Sequence, residues 1–307
     1  MINRRHILVT GPHRSGTTWI GKTISQHIKV EYIHEPFNVD FEGYNFHHKF
    51  KYWFEHVPTS KEKGEIECVF DKYIPTNAVK YAAKVCRESG YSLKTPLLYI
   101  KYLLLSPNMP FYLIKDPIAL LSAGWLYERY RFRVICVTRN PLAFAGSLKK
   151  LNWDYDFDNL LKQDELMESH LSIFKKEMAN VKQNGDFIDR IALLWNVLNY
   201  TILEYRQKYP DWFFTTHEAL ALEPIKGFRE IFEYLELEYD EKIISFVREY
   251  TSSKNPEEVS NYEFQRRNSE KALYTWKKRL TEDEITRLKD ATKEIYSEIY
   301  SDHLSLD

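Results

Sequence analysis

Residues 11–18, in the order Gly-Pro-His-Arg-Ser-Gly-Thr-Thr, combine glycines five positions apart with hydroxyl side chains and one arginine. They follow an apolar run and precede a helix-like stretch. Such a strand-to-helix turn wraps backbone N–H groups around a phosphate and points a helix N-terminus at it. Thr17 stands where an ATP-binding loop carries its lysine, and the cation is instead Arg14. The pattern predicts an anion site unlike that of an ordinary ATPase; the alternative is a glycine-rich turn that only connects two elements.

A second group suited to phosphate follows the apolar run Val-Ile-Cys-Val-Thr. Arg139, Asn140 and Pro141 come directly after it, and Ser147 lies eight positions beyond the arginine. Pro141 suits the first turn of a helix. An arginine at a strand end can give a phosphate two parallel hydrogen bonds, and a serine two turns into the next helix can add a hydroxyl donor. Taken singly, Arg139 could pair with a surface carboxylate and Ser147 could be an ordinary helix residue.

The segment Arg-Ser-Gly-Thr-Thr-Trp, residues 14–19, resembles the 5′-phosphosulfate loop of sulfotransferases that use 3′-phosphoadenosine 5′-phosphosulfate (PAPS). The resemblance implies that Arg14 contacts the bridging and sulfuryl oxygens. It also implies that Trp19 can stack on the adenine; the alternative for this tryptophan is packing against the sheet. The 5′-phosphate would then be held by the rest of the loop, Ser15, Gly16, Thr17 and Thr18.

The pair Arg139 and Ser147 resembles the 3′-phosphate motif of the same family, whose cytosolic members keep the same separation of eight positions. Residues 266–281 resemble the C-terminal stretch with which many sulfotransferases add contacts to the 3′-phosphate, but the usual Arg-Lys-Gly is absent. The alternative for this stretch is a charged loop before the last helix. The sequence therefore leaves the choice open between Arg266, Arg267, Ser269 and Lys271.

On the acceptor side, a base must take the proton of the attacking hydroxyl. Cytosolic sulfotransferases use a histidine in a Lys-Thr-His segment, and here the corresponding residues are Lys115, Asp116 and Pro117. Carbohydrate and protein sulfotransferases instead place a glutamate shortly after the second strand, where this chain has Glu35. The resemblance implies Glu35 as general base, Lys115 as the contact to the sulfuryl group and Asp116 as the reserve base. The alternative is that Glu35 only pairs with a cation, Arg14 or Lys115.

The segment 45–56, Asn-Phe-His-His-Lys-Phe-Lys-Tyr-Trp-Phe-Glu-His, mixes aromatic and basic residues. Its aromatic residues could bind an acceptor, but their helical spacing favours core packing. The histidines lack a convergent third ligand, so a metal site is not expected. The residues concerned are Phe46, His47, His48, Phe50, Trp53, Phe54 and His56.

Strands that could position these groups are predicted at 7–10, 31–34, 111–114, 134–138 and 212–216, with helical patterns between them. The continuously apolar runs are typical of parallel strands covered on both faces. We therefore predict an α/β fold with a parallel sheet flanked by helices, and the resemblance implies a nucleotide-kinase-like sulfotransferase fold with a phosphate loop. No repeat or composition break divides the chain, so residues 1–307 are predicted to form a single domain.

The composition excludes several classes of partner. With 43 basic and 44 acidic side chains, the chain has no net field that would attract nucleic acid or an anionic membrane. The apolar run near the N-terminus is too short for a signal peptide or a membrane span. The 3 cysteines show no metal-binding spacing and are expected to be reduced structural residues. We expect a cytoplasmic protein, and the sequence does not indicate its oligomeric state.

The leading hypothesis is a PAPS sulfotransferase that needs no metal and acts on a hydroxyl or amine, with a glycan or small metabolite favoured as acceptor. The runner-up is a small-molecule kinase in which Asp116 holds magnesium and Arg14 replaces the phosphate-loop lysine for Mg-ATP. A third possibility is a domain that binds PAPS, or its product 3′-phosphoadenosine 5′-phosphate (PAP), without turnover. Magnesium dependence separates the first two.

Overall fold

A parallel sheet forms the centre of the computed structural model, which describes residues 6–40, 50–74, 111–258 and 266–300. The spatial order of its 5 strands is β2-β3-β1-β4-β5, and all neighbouring pairs run parallel. All of the predicted strands are confirmed, with ends within two residues of the prediction. Their bounds are β1 His6–Thr10, β2 Val30–His34, β3 Phe111–Lys115, β4 Phe132–Thr138 and β5 Phe213–Thr216.

Helices connect and cover the strands. Short 3-10 turns lie at Val57–Thr59, Ile118–Ser122, Ser172–Phe174 and Thr275–Lys278. The α-helices of the described residues are α1 Thr17–Ile24, α2 Lys63–Tyr73, α3 Ala123–Tyr130, α4 Pro141–Leu151, α5 Asp158–Leu161, α6 Asp164–Glu168, α7 Lys175–Asn184, α8 Phe187–Lys208, α9 His217–Leu222, α10 Pro224–Tyr234, α11 Glu241–Thr251, α12 Ser269–Ala272 and α13 Glu282–Ile299.

Two hydrophobic cores, one on each face of the sheet, explain the apolar strands. In β4, Val134 and Cys136 belong to one core, whereas Ile135 and Val137 belong to the other. Successive side chains of a strand point to opposite faces, so a strand that is covered on both faces must be apolar at every position. Helices α4, α8 and α13 contribute to the first core, and α1, α10 and α11 to the second. The α/β prediction is confirmed.

The carboxyl ends of the parallel strands lie at one edge of the sheet, and each strand continues there into a loop. The tightest passage is at Gly11, directly after β1. This glycine has a φ of 142°, and a Cβ added there would lie 1.9 Å from the carbonyl oxygen of Val137 in β4. Only glycine fits such an approach, so the first residue of the loop at residues 11–18 is set by the neighbouring strand.

The aromatic segment 45–56 is only partly within the described residues. Phe50 and Phe54 are buried in the first core, as core packing predicts, and Trp53 packs against it. Phe46, His47, His48 and Cys86 lie outside the described residues. Cys136 is buried and Cys68 is exposed, and both are free thiols. Within the described ranges, none of the helices combines the length and apolar character that crossing a membrane requires.

Candidate active site

A cavity of about 380 Å³ opens at the carboxyl edge of the sheet, and the loops after all of the strands contribute to its wall. The residues considered from the sequence that line it include Arg14, Gly16, Thr17, Thr18, Trp19, Glu35, Trp53, Pro117, Arg139, Ser147, Arg267 and Ser269. Ser15, Lys115 and Asp116 lie behind this wall with 0 % exposure. The fold therefore brings the two predicted anion motifs and the predicted base into one place.

The loop between β1 and α1 has the geometry of an anion cradle. Arg14 and Gly16 adopt left-handed backbone conformations, with φ of 64° and 93°, and α1 begins directly afterwards at Thr17. A Cβ at Gly16 would lie 2.6 Å from Nδ1 of His217, so the loop passes close to the end of β5. The hydroxyl of Ser15 is buried and has no hydrogen-bond partner in the described structure. An oxygen of a bound anion at this position would satisfy the buried hydroxyl.

The second motif begins where β4 ends. The Asn140 side chain accepts a hydrogen bond from the backbone N–H of Leu142 at 2.9 Å and so caps α4, which starts at Pro141 as predicted. This cap orients α4 so that Ser147, two turns along, faces the cavity. Here the two motifs meet: Nε of Arg14 donates to Oγ of Ser147 at 3.2 Å. They are also joined through the backbone, because Nη1 of Arg139 donates to the carbonyl oxygen of Arg14 at 2.7 Å.

Positive charge is concentrated around Arg139. Burial lowers the pKa of Arg139 to about 10, and the nearby charges of Arg14, Arg267 and Arg279 act in the same direction, whereas Glu218 opposes them. Nε of Arg139 has no hydrogen-bond partner among the described residues. Several arginines that converge on one cavity with an unused donor are an electrostatic match for a bound anion.

The structure distinguishes between the C-terminal candidates. Arg267 and Ser269 line the cavity. Ser269 also donates its hydroxyl to the carbonyl oxygen of Ala221 at 2.8 Å. Arg266 instead pairs with Glu249, and Lys271 is exposed outside the cavity wall. Among the four candidates left open by the sequence, Arg267 is thus the guanidinium that faces the cavity.

Glu35 and Lys115 form an ion pair at the acceptor side. Lys115, the last residue of β3, is fully buried, and its Nζ contacts Oε1 of Glu35. Asn38 donates to the other carboxylate oxygen at 2.9 Å. Glu35 has a left-handed backbone with φ of 43° directly after β2. The sequence left open whether Glu35 pairs with Arg14 or with Lys115, and the structure shows the pair with Lys115. Glu35 lies between this lysine and the cavity.

The ion pair sets the protonation of both groups. Burial alone raises the pKa of Glu35, but the charge of Lys115 and the hydrogen bonds from Lys115 and Asn38 outweigh it and hold this pKa below its usual value. Burial lowers the pKa of Lys115, and the charge of Glu35 offsets part of that effect. A carboxylate that is ionised and open to the cavity can accept a proton.

Asp116 does not fit either role considered for it. Its two oxygens accept backbone N–H groups, from Phe37 at 2.6 Å and from Ile118 at 2.9 Å, and it is fully buried outside the cavity. Burial, together with the charge of Glu35, raises its pKa to about 7. Asp116 therefore joins the loops after β2 and β3 and is not placed as a base or as a magnesium ligand. Among the described residues, no group of three or more His, Cys, Asp or Glu side chains could hold a metal ion.

Trp19 packs against the second core and also lines the cavity. Its ring makes edge contacts with Phe228 at 5.2 Å and with His217 at 5.9 Å, and it also lines the cavity. One side of the indole is thus used in packing against the second core. The partly exposed remainder is available to a planar ligand.

Two histidines of the cavity wall were missed in the sequence. Burial and the charge of Arg14 lower the pKa of His13 to about 3, with Glu35 acting in the opposite direction, and burial with Arg139 and Arg267 lowers that of His217 well below its usual value. Nδ1 of each ring is buried without a partner in the described structure. Both are therefore neutral. His13 lies inside the loop at residues 11–18, and His217 directly follows β5. These two positions in the sequence could have indicated that both residues reach the cavity.

The family comparison agrees with this geometry. The sequence profile described as "Sulfotransferase domain" matches residues 4–300. The chain belongs to the sulfotransferase domain family. Membership makes it a transferase of the sulfuryl-transfer class, and the match covers every motif from the phosphate loop to α13. Among curated protein sequences, none matches the chain.

Solved sulfotransferase structures align over most of this sulfotransferase chain at low identity. The sulfotransferase domain from the curacin biosynthetic pathway is 14% identical, with 96% of each chain covered and a TM-score of 0.49. Sulfotransferase STF9 from Mycobacterium avium is 13% identical, with 98% of this chain and 78% of that chain covered and a TM-score of 0.45. Mouse sulfotransferase SULT7A1, complexed with PAP, is 12% identical, with 97% and 84% covered and a TM-score of 0.45.

Proposed function

We propose that this protein transfers a sulfuryl group from PAPS to a hydroxyl or amine of an acceptor, with a glycan or a small metabolite favoured. One observation carries the proposal: the two anion motifs meet in one cavity, through the hydrogen bonds from Arg14 to Ser147 and from Arg139 to the Arg14 carbonyl. PAPS carries a 5′-phosphosulfate and a separate 3′-phosphate, so it needs two adjoining anion sites. The proposal includes a single sulfotransferase domain over residues 1–307.

The residues of the cavity fit such a nucleotide. The loop amides, the start of α1 and the Ser15 hydroxyl suit the 5′-phosphate, and Arg14 suits the transferred group and the bridging oxygen. Arg139, with its unused Nε, and Ser147 suit the 3′-phosphate, with Arg267 beside them. Trp19 offers its open ring edge to the base. Buried donors that lack partners among the described residues support this assignment, because a phosphate would satisfy them.

The acceptor side supports a proton transfer to Glu35. Bound PAPS would supply the sulfuryl group. As the acceptor oxygen attacks sulfur, the bond from sulfur to the oxygen of the 5′-phosphate would break and PAP would leave, while the Glu35 carboxylate accepts the proton that the acceptor hydroxyl loses. Protonation neutralises Glu35, and the buried Lys115 ammonium then loses its counter-charge at the moment when negative charge develops in the cavity. The ion pair thus couples the base to an electrostatic stabiliser.

The first experiment is a calorimetric titration of the purified protein with PAP in the absence of magnesium and, separately, with ATP plus magnesium. We expect tight binding of PAP alone, because only PAP carries the 3′-phosphate that Arg139 and Ser147 are placed to hold. A preference for Mg-ATP would overturn the proposal in favour of the kinase. PAP binding without consumption of PAPS in the presence of a panel of sugars and hydroxylated metabolites would favour the non-catalytic domain.

The pH dependence of catalysis should report the lowered pKa of Glu35. The base is active when deprotonated, so as pH falls activity is lost only when Glu35 gains a proton, below its ordinary pKa of 4.5. We expect kcat/KM to stay level from about pH 8 down to about pH 5. Circular dichroism at each pH controls for unfolding. An acid limb centred near pH 7 would contradict Glu35 as the base and would point to Asp116, whose pKa burial raises to about 7. The acceptor class and the cytoplasmic location stay predictions.

A further inference from the structure

The Glu258 carboxylate lies in the wall of the cavity and binds two cations there. Oε2 accepts from Nζ of Lys150 at 2.8 Å, and Oε1 accepts from Nη2 of Arg279 at 2.7 Å. All three side chains line the cavity, with exposed fractions of 33% for Glu258 and 16% for Arg279. The hydrogen bonds from Lys150 and Arg279 hold the pKa of Glu258 below its usual value, although burial opposes them. An ionised carboxylate therefore occupies a two-cation site inside the cavity.

This two-cation site adjoins the residues assigned to the 3′-phosphate. Lys150 lies three positions after Ser147 on α4, so the two side chains share a helix face. Nη1 of Arg279 donates to the carbonyl oxygen of Gly146 at 3.3 Å. The approach is close because a Cβ at Gly146 would lie 2.8 Å from Cβ of Trp276, which positions the chain leading to Arg279 against α4. Both cations thus face the same end of the cavity as Ser147.

The charge of Arg279 acts on the same group of arginines. It is among the charges that lower the pKa values of Arg139 and Arg267, whereas Glu258 raises that of Arg267. Without an anion, these guanidinium groups repel one another across the cavity. Glu258 supplies the negative charge that this end of the cavity needs when no phosphate is bound.

We propose that Lys150 and Arg279 form the outer half of the 3′-phosphate site, and that Glu258 occupies this half until the 3′-phosphate of the nucleotide displaces it. The inference rests on the proposed function, because it takes the 3′-phosphate to bind at Arg139 and Ser147. A phosphate carries more charge and more acceptor oxygens than a carboxylate, so it satisfies Lys150 and Arg279 at least as well. Glu258 then stabilises the ligand-free protein and weakens nucleotide binding.

The test compares Glu258→Gln with Glu257→Gln, measured by calorimetry with PAP and with adenosine 5′-phosphate, which lacks the 3′-phosphate. Glu257 is a matched control because it also lines the cavity but pairs with Lys278, which lies outside the cavity wall. Partly exposed ion pairs are individually weak, so the loss of the competing carboxylate should tighten PAP binding about five- to tenfold in Glu258→Gln. The affinity of Glu258→Gln for adenosine 5′-phosphate should change less than about twofold. The affinity of Glu257→Gln for PAP should also change less than about twofold.

Unchanged or weakened PAP binding by Glu258→Gln would overturn the inference and leave Glu258 as a structural brace. An equal gain for both nucleotides would also overturn it, because the effect would then not concern the 3′-phosphate.

If the wild-type protein does not bind PAP, the proposed function fails, and a second readout still decides whether an anion site exists. With inorganic phosphate as the probe, the melting temperature of Glu258→Gln should rise more than that of Glu257→Gln. The additional substitution Arg279→Gln should abolish that rise. Equal rises in Glu258→Gln and Glu257→Gln would contradict the site.

Discussion

Replacing Glu35 with Gln is expected to lower turnover about a hundredfold, or about 3 kcal/mol in the activation barrier, while PAP affinity stays nearly unchanged. Glutamine keeps the shape of the side chain, and its oxygen can still accept from Lys115 or Asn38. It cannot take the acceptor's proton. The residue lies on the acceptor side of the cavity and not among the donors of either anion motif, so nucleotide binding should be spared.

The measurement is the rate at which PAP forms from PAPS with the best acceptor of the panel, together with calorimetric PAP affinity. Glu31→Gln is the matched control, because Glu31 lies on the same strand, β2, but is exposed and outside the cavity wall. If Glu35→Gln retained turnover, the base would be another cavity residue. The buried Asp116 is not placed for that role, so His13, which lines the cavity as a neutral ring, would be examined next.

Replacing Arg139 with Ala is expected to weaken PAP binding by about 2 kcal/mol, or about thirtyfold, and to affect adenosine 5′-phosphate much less. The side chain provides the unused Nε donor at the end of β4 and a hydrogen bond to the Arg14 carbonyl. The second bond supports the phosphate loop, so a small loss for both nucleotides is expected from it. The difference between the two nucleotides isolates the 3′-phosphate.

Two variants make this test specific. Arg139→Lys keeps the charge but not the forked donors, and it should recover only part of the PAP affinity. Arg190→Ala is the control for removal of an arginine, because Arg190 pairs with Asp154 outside the cavity wall. Equal losses of affinity for PAP and adenosine 5′-phosphate in Arg139→Ala would refute the assignment of the 3′-phosphate to this arginine.

Local patterns in the chain were sufficient for much of the fold. Short β-rich runs predicted the strands of the described sheet. Those of β3 and β4 are continuously apolar, because a strand covered on both faces must be apolar throughout. The start of α13 is likewise local, since Thr281 and Glu284 form a reciprocal capping box there. The loop at residues 11–18 and the Arg139 motif were found for a similar reason, since each is a short segment whose backbone geometry depends on its own residues and on the strand before it.

The composition of the site depended on contacts between distant segments. Lys115 pairs with Glu35 across 80 positions, and Arg14 bonds to Ser147 across 133. The position of Asp116 behind the cavity wall could not be predicted, because its partners, two backbone N–H groups, are not visible in residue types. The choice of Arg267 over Arg266 depended on which way each side chain faces where the chain passes α11.

The sequence by itself predicted two anion sites and the segments that carry them, because a phosphate-binding turn and a strand-end arginine are local arrangements with recognisable residue types. The reaction class followed from the resemblance of these segments to the sulfotransferase family. Only the tertiary structure decided which of these groups share a cavity, which are buried behind it and which charges neutralise one another. Burial and Coulomb interactions depend on distances in space and on exclusion of water, and neither follows from order along the chain. The pairing of Glu258 with Lys150 and Arg279 shows this most clearly, since its partners are 108 and 21 positions away.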